Sequence, residues 1–183
     1  KQEDGYKLTC RFFERGNEKP IAHDEYSFTE ATPFETLNQL VKNLAKHSGG
    51  ELPEAVQGGL QYGTERGEAF IRFLEAYDAL IYIQQSNGQV AQEFSPEAAF
   101  DSLLEATKLD PDFVAPFETL CALARTCGHF RVGTFESAEK SLLEAAKVVP
   151  DDFKSWYSLG ELYQGVNLLD KSTEAYEKAL RLH

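Results

Sequence analysis

The run Phe153-Lys154-Ser155-Trp156-Tyr157-Ser158-Leu159-Gly160-Glu161-Leu162-Tyr163 places Trp156, Leu159 and Tyr163 on one helical face, with Gly160 beside them. A second amphipathic segment follows, carrying Ser172, Tyr176 and Ala179. Large and small residues at these positions predict a helical hairpin. Gly160 and Ser172 are small where two helices would cross closely, and Trp156, Tyr163 and Tyr176 would fill the space around that crossing. Pro150 lies just ahead, where it stops one helix before the next begins.

Working outward, the same pattern recurs. Leu103-Leu104-Glu105-Ala106-Thr107-Lys108 returns as Leu142-Leu143-Glu144-Ala145-Ala146-Lys147, and again as Tyr176-Glu177-Lys178-Ala179-Leu180-Arg181. Internal repetition of this size predicts stacked helical hairpins, each covering its neighbour's apolar face. Three units are expected, at 67–113, 114–152 and 153–183. The middle unit should bury Phe117, Leu120 and Ala124 against Ala138, Leu142 and Ala145. The first should bury Phe70, Phe73 or Leu74, and Tyr77 against Ala99, Leu103 and Ala106. Extra residues are expected near Gln84 to Phe94 in the first unit and near Gly128 to Thr134 in the second. The latter places Cys127-Gly128-His129 in a loop.

The W-x2-L-G-x2-Y spacing of Trp156, Leu159, Gly160 and Tyr163, with Ser172, Tyr176 and Ala179 behind it, resembles the tetratricopeptide repeat (TPR) family. The likeness is specific over 153–183 and weakens toward residue 67. It implies a mainly α fold, an α–α superhelix of TPR-like hairpins. It also implies a non-enzymatic interaction module or scaffold that offers a concave groove to a peptide or protein segment. Carried over by repeat phase, the groove residues would be Glu68, Ile71, Glu75 and Asp78, then Glu118, Ala122 and Arg125, then Lys154, Tyr157, Glu161 and Gln164. Five acids against two bases should favour a basic or neutral partner segment. Family members that clamp a terminal carboxylate do so with Lys, Asn and Arg, whereas the matching positions here are mostly acidic or apolar.

Residues 1–66 read differently. Tyr6 to Phe13 and Ile21 to Phe28 alternate as strands, with Gly16-Asn17-Glu18-Lys19-Pro20 as the turn between them. Ile21, His23 and Glu25 should lie on one face, and Ala22, Asp24, Tyr26 and Phe28 on the other. Thr32-Pro33 with Glu35 predicts a helix start of capping-box type, and Leu37, Leu40, Val41 and Leu44 form its stripe. Gly49-Gly50 ends it, and 49–66 reads as a linker. This small α/β subdomain, over about 6–48, is similar to the closing portion of the TolB-like α/β domain found ahead of TPR arrays in some bacterial regulators. That resemblance implies an alternative reading, a regulatory or sensory segment of a larger protein. A lone hairpin leaves sheet edges to be covered. Self-association through residues 1–30 or through the C-terminal helix, where Leu180 and Leu182 look uncovered, would be one way to cover apolar surface.

Composition narrows the function further. The 183 residues carry a formal charge of −12, with 42% hydrophobic residues. Residues 1–66 hold 8 bases against 11 acids, so most of the acidity lies in the helical part. Such a surface argues against nonspecific nucleic-acid binding, which needs cations to release phosphate counterions. No apolar run reaches the roughly 20 residues that span a bilayer. Cys10, Cys121 and Cys127 are odd in number and widely spaced, as expected for reduced thiols in a cytoplasmic chain. There is no methionine, and the chain opens Lys1-Gln2-Glu3, which predicts a piece of something longer. No catalytic, cofactor or metal constellation stands out. His23-Asp24-Glu25 would diverge across a strand, and Cys121, Cys127 and His129 lack a second ligand pair. Gly58, Gly59 and Gly63 lack the Gly-Lys-Ser/Thr ending of a phosphate loop, and His47 suits a helix C-terminus.

Overall fold

The computed structural model describes residues 5–16, 18–52, 61–91 and 94–183. Asn17 of the expected turn, the linker residues 53–60 with Pro53, Gly58 and Gly59, and residues 92–93 of the first insertion lie outside the described residues. The chain divides into two compact units, Lys1–Glu68 and Ala69–His183.

In the first unit, β1 (Tyr6–Phe13) and β2 (Pro20–Phe28) pair antiparallel. Leu8 stands opposite Tyr26, Cys10 opposite Asp24, and Phe12 opposite Ala22. Burial alternates along both strands. Ala22, Asp24, Tyr26 and Phe28 turn inward, while His23 and Glu25 point to solvent. The helix α1 (Pro33–His47) lies on β2. A polar chain fixes it there. Asn43 donates to the Tyr26 hydroxyl at 2.8 Å, and that hydroxyl donates to Asp24 at 3.2 Å. His47 Nε2 is 3.2 Å from the same Asp24 oxygen, and its ring lies 4.3 Å from Phe12. His47 therefore does more than complement a helix end.

The capping box expected at α1 does not form. Thr32 is the N-cap, but its hydroxyl makes no cap bond. It accepts instead from the Thr29 amide at 3.2 Å, so the hydroxyl is spent on the turn before the helix.

The second unit is a stack of helical hairpins. Its described helices are α2 (Gly67–Gln85, starting at the unit border), α3 (Glu97–Leu109), α4 (Val114–Phe130), α5 (Phe135–Val148), α6 (Lys154–Gly165) and α7 (Leu169–Leu182). The middle helices pack beyond their own partners. α4 touches α3, α5 and α6, and α5 touches α3, α4 and α6. One continuous core results, with Ile83, Phe100, Leu103, Leu120, Leu123, Leu142 and Leu159 fully buried. Each fully buried Leu or Phe contributes roughly 1.5–3 kcal/mol of transfer free energy. No single hairpin could bury all of these side chains alone.

Two expectations need correction. In α2 Phe70 is buried and Phe73 packs against the core as expected, with Ala76, Leu80 and Ile83 also inward, whereas Leu74 and Tyr77 are each 40% exposed. Beyond Phe73 the core-facing residues are 76, 80 and 83, so Tyr77 falls at the edge of the buried face. The extra residues of the middle unit do not form a loop either. They lengthen α4 to 17 residues, against 12 for α6, so Cys127, Gly128 and His129 are helical. Gly128 is tolerated there because a side chain would crowd Leu162 of α6, whose Cδ1 lies 3.2 Å from where its Cβ would be.

Candidate interaction groove

The last hairpin explains how α6 is placed. A Cβ on Gly160 would lie 2.5 Å from Tyr176 Cε1, so the absence of a side chain lets α6 and α7 close on each other. Ser172 donates to the Gly160 carbonyl at 2.9 Å across the same crossing. Tyr163 is buried and donates to Glu139 of α5 at 2.7 Å. Its hydroxyl pKa is pushed upward by burial first, and then by that carboxylate. Trp156 packs at the core edge with the Lys178 ammonium 3.6 Å from its ring centroid.

With α6 held this way, its outer face lines up beside α4, and two ion pairs join the helices. Lys154 Nζ lies 2.8 Å from Glu118 Oε1 and 3.4 Å from Asp152 Oδ2. The hydrogen bond to Glu118, ahead of the cost of burial, raises the Lys154 pKa. Two turns further on, Arg125 Nε lies 3.7 Å from Glu161 Oε2. Between the two pairs Tyr157 is exposed, its hydroxyl 3.5 Å from Glu161 Oε1 and its ring 5.7 Å from that of Tyr176. Tyr176 in turn donates to Gln164 Oε1 at 3.2 Å.

A cleft of about 730 Å³ opens at the end of this face. Arg125, Tyr157, Glu161 and Gln164 line it, together with Gln84 from α2 and the α4–α5 turn around Arg131. Arg131 caps the C-terminal end of α4, where the helix's negative pole offsets its charge. Arg131 itself takes φ +56, as Asn87 (φ 50) and Asn167 (φ 61) do in the turns of the other two hairpins.

Six of the eleven groove candidates are thus brought together on α4 and α6: Glu118, Arg125, Lys154, Tyr157, Glu161 and Gln164. The α2 candidates do not join them in the cleft. Ile71 is 3% exposed, so its side chain is buried and cannot meet a partner. Glu68 falls at the end of the first unit, and Glu75 and Asp78 are exposed on α2. The sequence phase missed Tyr176, which reaches the groove face from the second helix of its hairpin. It also missed Gln84 and Arg131, which lie in stretches taken for insertions. Only the length of the apolar pattern from Phe117 to Cys127 hinted that α4 ran on.

The charges of the groove face are unevenly paired. Lys154 is matched to Glu118 at 2.8 Å, whereas Arg125 stands 3.7 Å from Glu161, and the two acids and two bases give the α4 and α6 candidates no net charge.

The geometry agrees with the comparison against known families. Residues 153–182 match the family model of the tetratricopeptide repeat. This segment spans α6 and α7, the hairpin closed by the Gly160–Tyr176 contact. No curated protein matches the chain. A TPR segment points to protein partners, and among the described residues no helix is long and apolar enough to cross a membrane. Among the same residues no three His, Cys, Asp or Glu side chains gather as metal ligands. Cys121 and Cys127 are buried inside the repeat stack, where desolvation pushes each thiol pKa up to about 12.

Proposed function

We propose that the helical unit is a non-enzymatic interaction module that takes a protein or peptide segment along the α4–α6 face. The observation that carries this reading is the cleft beside that face, where Arg125, Tyr157, Glu161 and Gln164 converge on a rigid scaffold. A preformed site on packed helices costs little ordering on binding. Exposed aromatic and amide side chains supply adaptable contacts, and Tyr and Arg are enriched at binding hot spots. Lys154 is held by Glu118, while the looser Arg125–Glu161 pair leaves a carboxylate at the cleft, so a neutral or basic segment is favoured there, with basic residues also favoured toward Glu75 and Asp78 of α2. The first unit, whose described strands pair only with each other, suits a second role as a small regulatory appendage of the kind its resemblance implies.

The test is selection of random peptides on the full chain, followed by affinity measurements on variants. Tyr157→Ala and Gln164→Ala should each weaken a selected peptide about tenfold, the scale of one hot-spot contact. Lys147→Ala, on an exposed face away from the cleft, should change nothing. Equal binding to all three variants would overturn the assignment.

A further inference from the structure

The two ion pairs between α4 and α6 are not alike. Residues 118 and 125, and residues 154 and 161, are separated by the same seven positions, with the charges reversed from one pair to the other. The first pair is closed. Its Lys154–Glu118 distance is 2.8 Å, and Asp152 Oδ1 also accepts from the Lys154 amide at 2.7 Å. The second pair is open. Arg125 Nε stops 3.7 Å from Glu161 Oε2, and that oxygen is buried without any hydrogen bond. Its partner oxygen has only the Tyr157 hydroxyl at 3.5 Å.

A buried acceptor left without a donor costs on the order of 1–3 kcal/mol, so such a group needs an explanation. Here the cause is not a shortage of donors, since a guanidinium stands within reach and does not engage. The cleft opens beside this loose contact, and both residues line it. The exposed Tyr157 ring and the nearby Tyr176 ring offer aromatic faces next to the carboxylate. Carboxylate plus aromatic face is the combination that holds a planar cation, through paired hydrogen bonds and stacking. An ammonium would use only part of it.

We propose that Glu161 anchors an arginine side chain of the bound segment, and that Arg125 is an internal stand-in displaced when that arginine arrives. This rests on the groove reading above and names the residue class the groove selects. It gives the two partners of one ion pair opposite effects. Removing Glu161 removes the anchor, whereas removing Arg125 removes a competitor.

The experiment is NMR titration of the full chain with N-acetyl-arginine amide, and with N-acetyl-citrulline amide as the uncharged isostere. The arginine probe should move the amide signals of Tyr157 and Glu161 saturably, and the citrulline probe should not. Glu161→Gln should weaken the arginine probe about tenfold, as loss of a charged pair does. Arg125→Gln should tighten it about threefold, because the internal competitor is gone. Unchanged or weaker binding to Arg125→Gln overturns the proposal. Equal response to citrulline, or no saturable shift at all, does the same. If Glu161→Gln lost its native spectrum, the Arg125→Gln comparison would decide alone. A selected peptide that depends on Tyr157 but is indifferent to both Glu161 and Arg125 would sink this inference and leave the groove standing. Indifference to Tyr157 and Gln164 as well would sink the groove reading.

Discussion

Replacing Gly160 by Ala should destabilise the last hairpin, and the cause can be isolated. On an exposed helix, Gly→Ala gains roughly 0.5–1 kcal/mol from reduced backbone entropy. Here the new methyl would sit 2.5, 2.6 and 2.9 Å from three atoms of the Tyr176 ring. Overpacking of that kind costs roughly 1–3 kcal/mol. The ring can move only by giving up its contact with Tyr157 and its bond to Gln164. The net loss should be about 1–2 kcal/mol after subtracting the helix gain. Trp156 is the chain's single tryptophan and lies on α6, so its fluorescence during urea unfolding reports on this hairpin. With a slope of about 2 kcal/mol per molar urea, the midpoint should fall by about 0.5–1 M. In a Tyr176→Ala background the same Gly160→Ala change should cost nothing, or stabilise by roughly 0.5–1 kcal/mol, because only the entropy term remains. A Gly160→Ala variant as stable as the parent, or an equal loss in both backgrounds, would refute the crossing as the reason for glycine.

Other expectations follow from the same contacts. A double-mutant cycle on Glu118 and Lys154 should give a coupling of about 0.5 kcal/mol, since both side chains are partly exposed, and high salt should shrink it. Cys121 and Cys127 have folded pKa values raised to about 12, above the ordinary thiol value. The unfolded chain therefore ionises first. Their stabilising contribution should be complete below about pH 8.5 and be lost progressively as pH rises toward 12. Alkaline unfolding followed by Trp156 fluorescence, with a Cys121→Ser, Cys127→Ser comparison that flattens the pH slope, checks the sign. At neutral pH a thiol reagent should label Cys10 and spare the two buried cysteines, and labelling of all three in the native state would contradict their burial. Leu180 is 76% exposed, whereas its repeat counterparts Thr107 and Ala146 are covered by the next hairpin. If that surface drives self-association, light scattering should show a concentration-dependent mass that Leu180→Glu abolishes. A strict monomer would remove that route.

The repeat could be read from residues because its packing is local. Gly160, Ser172, Tyr163 and Tyr176 meet within one hairpin, so their spacing carries the geometry. The strand alternation from Ile21 to Phe28 was legible for the same reason, as each inward residue needed only one helix to cover it. The exposure of Tyr77 on α2 was not legible. It follows Phe70 and Phe73 at helical spacing, but the core-facing run continues through Ala76, Leu80 and Ile83 instead. The extension of α4 was hidden by Gly128, which suggests a helix end until Leu162 is seen beside it. The pairing of the groove charges was not legible, because only the packing of α4 beside α6 brings Lys154 to Glu118 and Arg125 toward Glu161.

Photo-cross-linking of a selected peptide to the full chain, with the adducts mapped by mass spectrometry, tests the groove most directly. The expected adducts fall on the C-terminal half of α4, from Ala122 to Phe130, and on α6, from Tyr157 to Gly165. Adducts confined to the outer faces of α5 and α7, or to residues 5–52, would contradict it.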